Sequence, residues 1–304
     1  MKHFIKSLFF FLLFAATTYV FLLFVWGKFM PQALKPNLNY KIGSYGNLFS
    51  RIKDIENYKN IDVLFIGTSH AYRGFDTRNF DRENYKTFNL GSSSQTPMQS
   101  KILLERYLER LNPKTIVFEV NPETFTSDGV EASLDIVAND KNDLKSLKMA
   151  FEINNIKTWN TLVFAKINEI FDLNKNFIEP KQKNDDTYIQ GGFVGKKVTF
   201  FKNTTFPDTK WVFNKKQIKA FEECVALIKS KNIKLILVDT PITKSLYKSF
   251  TNQMEFDSLM QTFGTYYDFN KNSELNDSLH FYDGEHLNQN GVNIFNQKMK
   301  TLKF

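Results

Sequence analysis

Four short apolar runs, each halted by glycine, asparagine or proline, constrain what this chain can fold into more than any other feature. They are IDVLFIG from Ile61, YKTFNLG from Tyr85, KTIVFEVNP from Lys114 and KLILVDTP from Lys234. Runs this short and this continuously apolar suit strands buried on both faces. Between them lie stretches of helical spacing, TPMQSKILLERYLERLNP from Thr96 and KKQIKAFEECVALIKSKNI from Lys215. GTYYDFN from Gly264 reads as a fifth strand, and the segment 288–304 as a closing helix. Strands alternating with helices predict an α/β fold, a three-layer sandwich around a central parallel sheet of about five strands.

The connection between the third and fourth runs is too long for a plain loop. Residues 126–213 are expected to form an inserted, mainly helical subdomain or lid. Its first half, SLKMAFEINNIKTWNTLVFAKINEIF, has helical character. Its second half is polar, and GGFVG from Gly191 reads as a flexible part near the site.

The N-terminus adds a different constraint. An uncharged, almost wholly apolar run extends from Leu8 to Trp26, with Lys2 and Lys6 before it and Lys28 after it. That length crosses a hydrocarbon core as a helix, and Trp26 with Lys28 suits an interfacial boundary. A cleaved signal peptide is the competing reading, since Ala15 and Ala16 lie inside the run, but signal cores are usually shorter. The organisation expected is therefore an anchor over 1–28, a linker over 29–58 and an α/β domain over 59–304. A short basic N-terminus before a large domain favours a single pass of the inner membrane of a bacterium, with the domain periplasmic or extracellular.

Composition narrows the function classes. The net charge of +8 among 304 residues invites a nucleic-acid reading. The lysines are scattered, however, and no nucleic-acid motif is evident, so no such partner is expected. Anionic envelope polymers or lipid headgroups fit the same charge. A single cysteine, Cys224, excludes an intramolecular disulfide and a multi-cysteine metal site; it reads as a core residue of its helix.

Chemistry in an open parallel sheet gathers at the carboxyl ends of the strands. Those ends carry Gly67-Thr68-Ser69-His70, Asn89-Leu90-Gly91-Ser92, Asn121-Pro122 and Asp239-Thr240-Pro241. Near the C-terminus, Asp283 and His286 stand three residues apart. A serine hydroxyl needs a base to take its proton, and an imidazole needs a carboxylate to fix its tautomer. Asp-x-x-His can supply both from one turn. Residue 71 is alanine, so the G-x-S-x-G nucleophile elbow is absent.

The blocks IGTSH, NLGSSSQT and DGEHLNQNG, in that order, resemble those of the SGNH (GDSL-type) hydrolase superfamily over residues 61–304. The nearest likeness is to its membrane-anchored subset, DltD-like and alginate-acetylation-like proteins that move acyl groups on cell-envelope polymers. The resemblance implies a flavodoxin-like sandwich, with Ser69 as nucleophile, His286 as general base and Asp283 as its orienting partner. It implies an oxyanion hole from the N–H groups of Ser69 and Gly91, with Asn121 in the place of the family's asparagine. It implies no cofactor or metal. The substrate implied is an acylated carbohydrate, with a multi-pass membrane O-acyltransferase as a possible partner. Two departures stand out: Thr68 replaces the usual aspartate, and FEVNPETF lacks a clear Gly-x-Asn-Asp block. A non-catalytic glycan-binding or scaffold protein is the rival reading. His70 is expected at the site, in contact with substrate or as a structural neighbour of the turn. Arg73 could meet an anionic substrate group or pair with Asp76 or another carboxylate. His280 reads as structural.

Overall fold

The computed structural model describes residues 1–202, 204–271, 273–302 and 304. Helix α1 (Lys2–Phe29) leads to α2 (Leu48–Asp54), β1 (Val63–Ile66), α3 (Ser69–Gly74), α4 (Thr77–Asp81), β2 (Thr87–Asn89), α5 (Pro97–Leu111) and β3 (Thr115–Glu119). Then come α6 (Val130–Asn139), α7 (Leu144–Ile153), α8 (Ile156–Ile170) and the short strands β4 (Gln182–Lys183), β5 (Asp186–Ile189) and β6 (Phe193–Lys196). The chain closes with α9 (Lys215–Ser230), β7 (Lys234–Asp239), α10 (Lys244–Ser249), α11 (Gln253–Phe263), β8 (Thr265–Asp268), α12 (Asp277–His280) and α13 (Gln289–Lys300).

Among the described residues, five strands form one parallel sheet in the order β2-β1-β3-β7-β8. The order reverses between β1 and β3, so a crevice opens there at the carboxyl edge. Every residue of β1 is fully buried because both faces are covered. On one face Leu64 and Ile66 pack with Leu103, Phe118 and Phe221; on the other, Val63 and Phe65 pack with Phe75, Phe80 and Phe295. Phenylalanines stack within these layers, Phe65 on Phe75 at 4.6 Å between centroids. Each fully buried large apolar side chain contributes about 1.5–3 kcal/mol, so the apolar runs hold the sheet rather than merely filling it.

Local signals explain several boundaries. Thr96 and Gln99 form a capping box with Pro97 between them, which starts α5 just beyond the β2 edge. Asn112 ends that helix in the left-handed region, and Pro113 forbids its continuation. Cys224 is fully buried in α9. The closing helix stops at Lys300, short of the 304 expected, and position 303 lies outside the described residues.

The long connection holds α6, α7 and α8, which matches its helical reading. Its polar half differs from expectation. It forms a three-stranded antiparallel sheet, β4-β5-β6. The GGFVG segment is not a flexible loop but a tight turn entering β6. Gly191 and Gly192 both adopt positive φ, and a Cβ on Gly192 would lie 2.1 Å from the Asn89 carbonyl oxygen. The stretch read as a linker contains α2, whose Arg51 is fully buried and donates to the Gly192 carbonyl at 2.8 and 3.1 Å.

Helix α1 is long and apolar enough to cross a membrane, and almost all of its apolar window is bare. Only its last turns touch the domain, where Leu23, Phe24 and Trp26 pack with Leu38, Tyr40 and Phe164.

Candidate active site

Ser69 stands where β1 ends, at the first position of α3. The turn that lifts it depends on Gly67, whose φ is +147°. A Cβ there would sit 2.4 Å from Glu119 Oε2 and 2.9 Å from the Glu119 carbonyl oxygen, so a larger residue would push the turn off β3. Thr68 then caps α3: its hydroxyl accepts the His70 N–H at 3.0 Å, and its own N–H donates to Glu119 Oε2 at 2.6 Å. The Ser69 N–H has no acceptor among the described residues.

The Asp-x-x-His segment lies between α12 and α13, clipped by the bridge between Phe281 and Leu287. Asp283 Oδ1 accepts the backbone N–H groups of Glu285 at 2.8 Å and His286 at 2.7 Å. That local turn swings the His286 ring back onto the same carboxylate, with Nδ1 3.1 Å from Oδ1 and 3.0 Å from Oδ2. The other ring nitrogen, Nε2, lies 2.9 Å from Ser69 Oγ. Residues 217 positions apart in sequence thus form one chain of hydrogen bonds, Asp283 to His286 to Ser69.

Electrostatics suit a base. Burial lowers the His286 pKa below that of a free imidazole, and His70 nearby adds to this, while Asp283 partly opposes it. Burial works to raise Asp283, but its bond to His286 and the two backbone donors hold it below the ordinary carboxylate value. At neutral pH the pair is therefore carboxylate and neutral imidazole, with Nδ1–H facing Asp283 and the Nε2 lone pair facing Ser69. Tyr282 lies flat against His286, 5.4 Å between centroids and 4° between planes, which holds the ring from its side.

The remaining expected residues are placed as follows. Gly91 lies beside the Ser69 turn, but its N–H already donates to Asn89 Oδ1 at 3.1 Å; an oxyanion role would require breaking that bond. Asn121 caps the turn after β3, accepting the Glu123 N–H at 2.9 Å, and its Nδ2 lies 2.6 Å from His70 Nδ1. His70 is buried, its ring 4.9 Å from that of His286. Burial works to lower the His70 pKa, but Glu119, with Glu285 and Glu123, turns the net shift upward. Arg73 takes up a carboxylate of the chain itself. It grips Asp186 of β5 with two bonds of 2.9 and 2.7 Å, while Asp76 pairs with Arg78. Its role is to tie the hairpin sheet to α3. His280 accepts the Asn276 N–H at 2.9 Å, away from this chemistry.

Sequence reasoning passed over Glu119, Tyr282 and Glu285. Glu119 was legible in principle, because an acidic residue inside a continuous apolar run must be paired or perform a task. Beside Ser69, His286 and Asp283, the residues His70, Asn121, Trp211, Tyr247, Phe250 and Glu285 border a recess. Asp239 also borders it, its pKa pushed well up by burial and by Asp268 and Glu119. His70, Glu285 and His286 could offer a metal ion three ligand atoms within 4.8 Å of one another, but such an ion would compete with Ser69 for His286.

Comparison with protein-family models finds no match, and comparison with curated proteins finds none. Among solved structures, the chain is similar to a candidate acylhydrolase from Bacteroides fragilis NCTC 9343, at 15% identity and TM-score 0.42, covering 85% of this chain and 98% of that one. It is also similar to a GDSL-like lipase from Bacteroides thetaiotaomicron VPI-5482, at 12% identity and TM-score 0.43, with the same coverages of 85% and 98%.

Proposed function

We propose that this chain is a serine esterase or O-acyltransferase of the SGNH type, held to a bacterial inner membrane by α1 and acting outside the cytoplasm on acylated carbohydrate. One observation carries the reading: Ser69 Oγ, His286 Nε2, His286 Nδ1 and Asp283 form a continuous hydrogen-bonded line. In the reaction, Ser69 Oγ attacks an ester carbonyl while its proton passes to His286 Nε2. The negative charge that develops on the carbonyl oxygen meets the unengaged Ser69 N–H. Collapse of this intermediate expels the alcohol, which takes the proton from His286, and leaves the acyl group on Ser69. Water, or a sugar hydroxyl, then reverses these steps by giving its proton to His286 and releasing Ser69.

The two sides of the site differ in a way that supports an acylated sugar. Trp211, Leu246 and Phe250 give the small recess an apolar wall, which suits a short acyl group rather than a long chain. On the other side Tyr282 carries the Lys196 ammonium 5.0 Å and the Arg73 guanidinium 6.0 Å from its ring centre. Asp186 pairs with both cations, so what this side offers is an aromatic face with polar neighbours, which suits a polyhydroxylated sugar ring.

The test is covalent labelling of the full-length protein in detergent with a fluorophosphonate. Labelling at Ser69 that is lost in Ser69→Ala and falls sharply in His286→Ala supports the enzyme. The engagement of the Gly91 N–H by Asn89 favours a second reading, a glycan-binding scaffold without turnover. Absence of labelling where a control esterase reacts would select that reading.

A further inference from the structure

The contact between α1 and α8 holds the domain against the apolar helix, short of the end of its uncharged stretch. The Tyr19 hydroxyl donates to Asn160 Oδ1 at 2.6 Å, and Phe24 stacks on Phe164 at 5.7 Å between centroids. Asn160 therefore meets α1 nearer its amino end than Phe164 does, and Gly27 also lies against the Phe164 ring. The uncharged stretch of α1, Ser7 to Gly27, is about 31 Å long at 1.5 Å per residue. That is roughly the thickness of a hydrocarbon core, which leaves little slack and puts the outer boundary near Trp26. Tyr19 then lies about 10 Å along the helix inside that boundary. Asn160 meets Tyr19 there, and Ile156 lies at the amino end of α8, one turn before Asn160.

The side chains at this corner suit that depth. Leu144, Leu147 and Phe151 form an exposed stripe on α7 at i, i+3 and i+7, at 82%, 40% and 65% exposure. The stripe runs into the turn between α7 and α8, where Ile156 is 53% exposed and Phe151 packs edge-on against Trp159 at 4.7 Å. Around it stand exposed lysines: Lys148 on α7, and Lys215 and Lys216 on α9, where Lys216 Nζ donates to the Glu152 carbonyl at 2.8 Å. Exposed apolar side chains flanking the polar Asn154-Asn155 turn, with lysines around them and Glu152 beside Lys148, match a segment that sits in the headgroup and upper acyl region of an anionic leaflet.

We infer that the α7–α8 corner, with Phe151 and Ile156 at its tip, inserts into the outer leaflet beside α1, so that the domain is fixed on the membrane by two contacts rather than hung from one helix. The inference rests on α1 being an uncleaved anchor. A second contact removes rotation about a single tether and sets the Ser69 crevice at a constant height above the lipid.

The test uses full-length protein in vesicles of phosphatidylcholine and phosphatidylglycerol. A polarity-sensitive fluorophore is attached in turn to Phe151→Cys, Ile156→Cys, Val20→Cys on the bare face of α1, and Ser258→Cys on exposed α11. The native Cys224 is fully buried and stays unlabelled in the folded protein. Probes at 151 and 156 should shift to the blue, lose most of their emission to lipid-borne quenchers and little to aqueous iodide; the probe at 258 should do the reverse. Iodide quenching at 151 and 156 alongside lipid quenching at 20 would overturn the corner and leave the anchor standing. Loss of lipid quenching at 20 as well would overturn both, tracing the failure to the anchor. Shielding at 151 and 156 from both quenchers would overturn lipid insertion in favour of a protein occupant.

Discussion

Replacing Asp283 by asparagine tests the proposed chemistry at its most specific point. The asparagine carbonyl can keep the place of Oδ1, which accepts the N–H groups of Glu285 and His286, so the turn survives. The amide nitrogen then occupies the Oδ2 position, 3.0 Å from His286 Nδ1, and donates where the carboxylate accepted. Because the carbonyl oxygen already accepts two backbone N–H groups, the amide shifts the imidazole toward the tautomer with its proton on Nε2, which faces Ser69 with a donor instead of a lone pair. The lost charge matters too, because the transition state carries an imidazolium. Coulomb attraction at 3.0 Å is about 1.4 kcal/mol in water and about 5.5 kcal/mol at an effective dielectric of 20. The Asp283 side chain is 47% exposed, so screening places the term between these limits, near ~3 kcal/mol. That corresponds to about 10²-fold in rate, and the wrong tautomer raises the expected loss to about 10²–10³-fold in kcat. The assay is hydrolysis of p-nitrophenyl acetate by full-length protein in detergent, with thermal unfolding measured in parallel. A folded Asp283→Asn variant that keeps kcat within about threefold of the parent would refute the reasoning, since neither term could then operate.

Three further outcomes are expected. Because burial lowers the His286 pKa, kcat/KM should rise with pH through a limb below the ordinary histidine value of about 6.5 and stay level above it; a limb above 6.5 would count against His286 as the base. Asp135, buried beside Ser44 and the Ser93 N–H, has its pKa pushed up by burial to about 6 from 3.8. Its folded form therefore binds protons more tightly than the unfolded chain, and stability falls as pH rises from about 4 through about 6. The stability of Asp135→Asn relative to the parent should thus increase by about 2–3 kcal/mol between pH 4 and pH 7 in urea titrations, and a difference independent of pH would sink the argument. Arg73 and Asp186 are only 12% and 17% exposed, so their double-mutant cycle to alanine should give a coupling of about 1–3 kcal/mol. A coupling below about 0.5 kcal/mol would mean the hairpin sheet is held to α3 by other contacts.

The sheet was legible because its cause is local and repeated. A run such as IDVLFIG is buried on both faces wherever it sits, and its length and terminal glycine mark a strand without reference to partners. The capping box at Thr96 and the Asp-x-x-His turn are legible for the same reason, since each is built within three residues. The antiparallel β4-β5-β6 sheet was not. Its strands are two to four residues long, and their stability comes from Arg73, Arg51 and Asn89, which lie far off in sequence. For Arg73 the sequence left a substrate contact and a salt bridge equally open, and only the fold brought Asp186 to it.

By itself, the sequence determined an apolar helix able to span a bilayer, a parallel α/β core and strand-end serine, histidine and aspartate side chains in a suggestive order. Only the tertiary structure decided what those groups do to one another. It set Ser69 Oγ 2.9 Å from His286 Nε2, engaged the Gly91 N–H with Asn89, and turned Asn121 to His70. It also laid Tyr282 against the imidazole and set α8 against α1. The physical reason is one of range. Burial and periodicity are properties of a short stretch of chain, whereas a hydrogen bond changes from present to absent within an ångström and is fixed only when distant segments are packed.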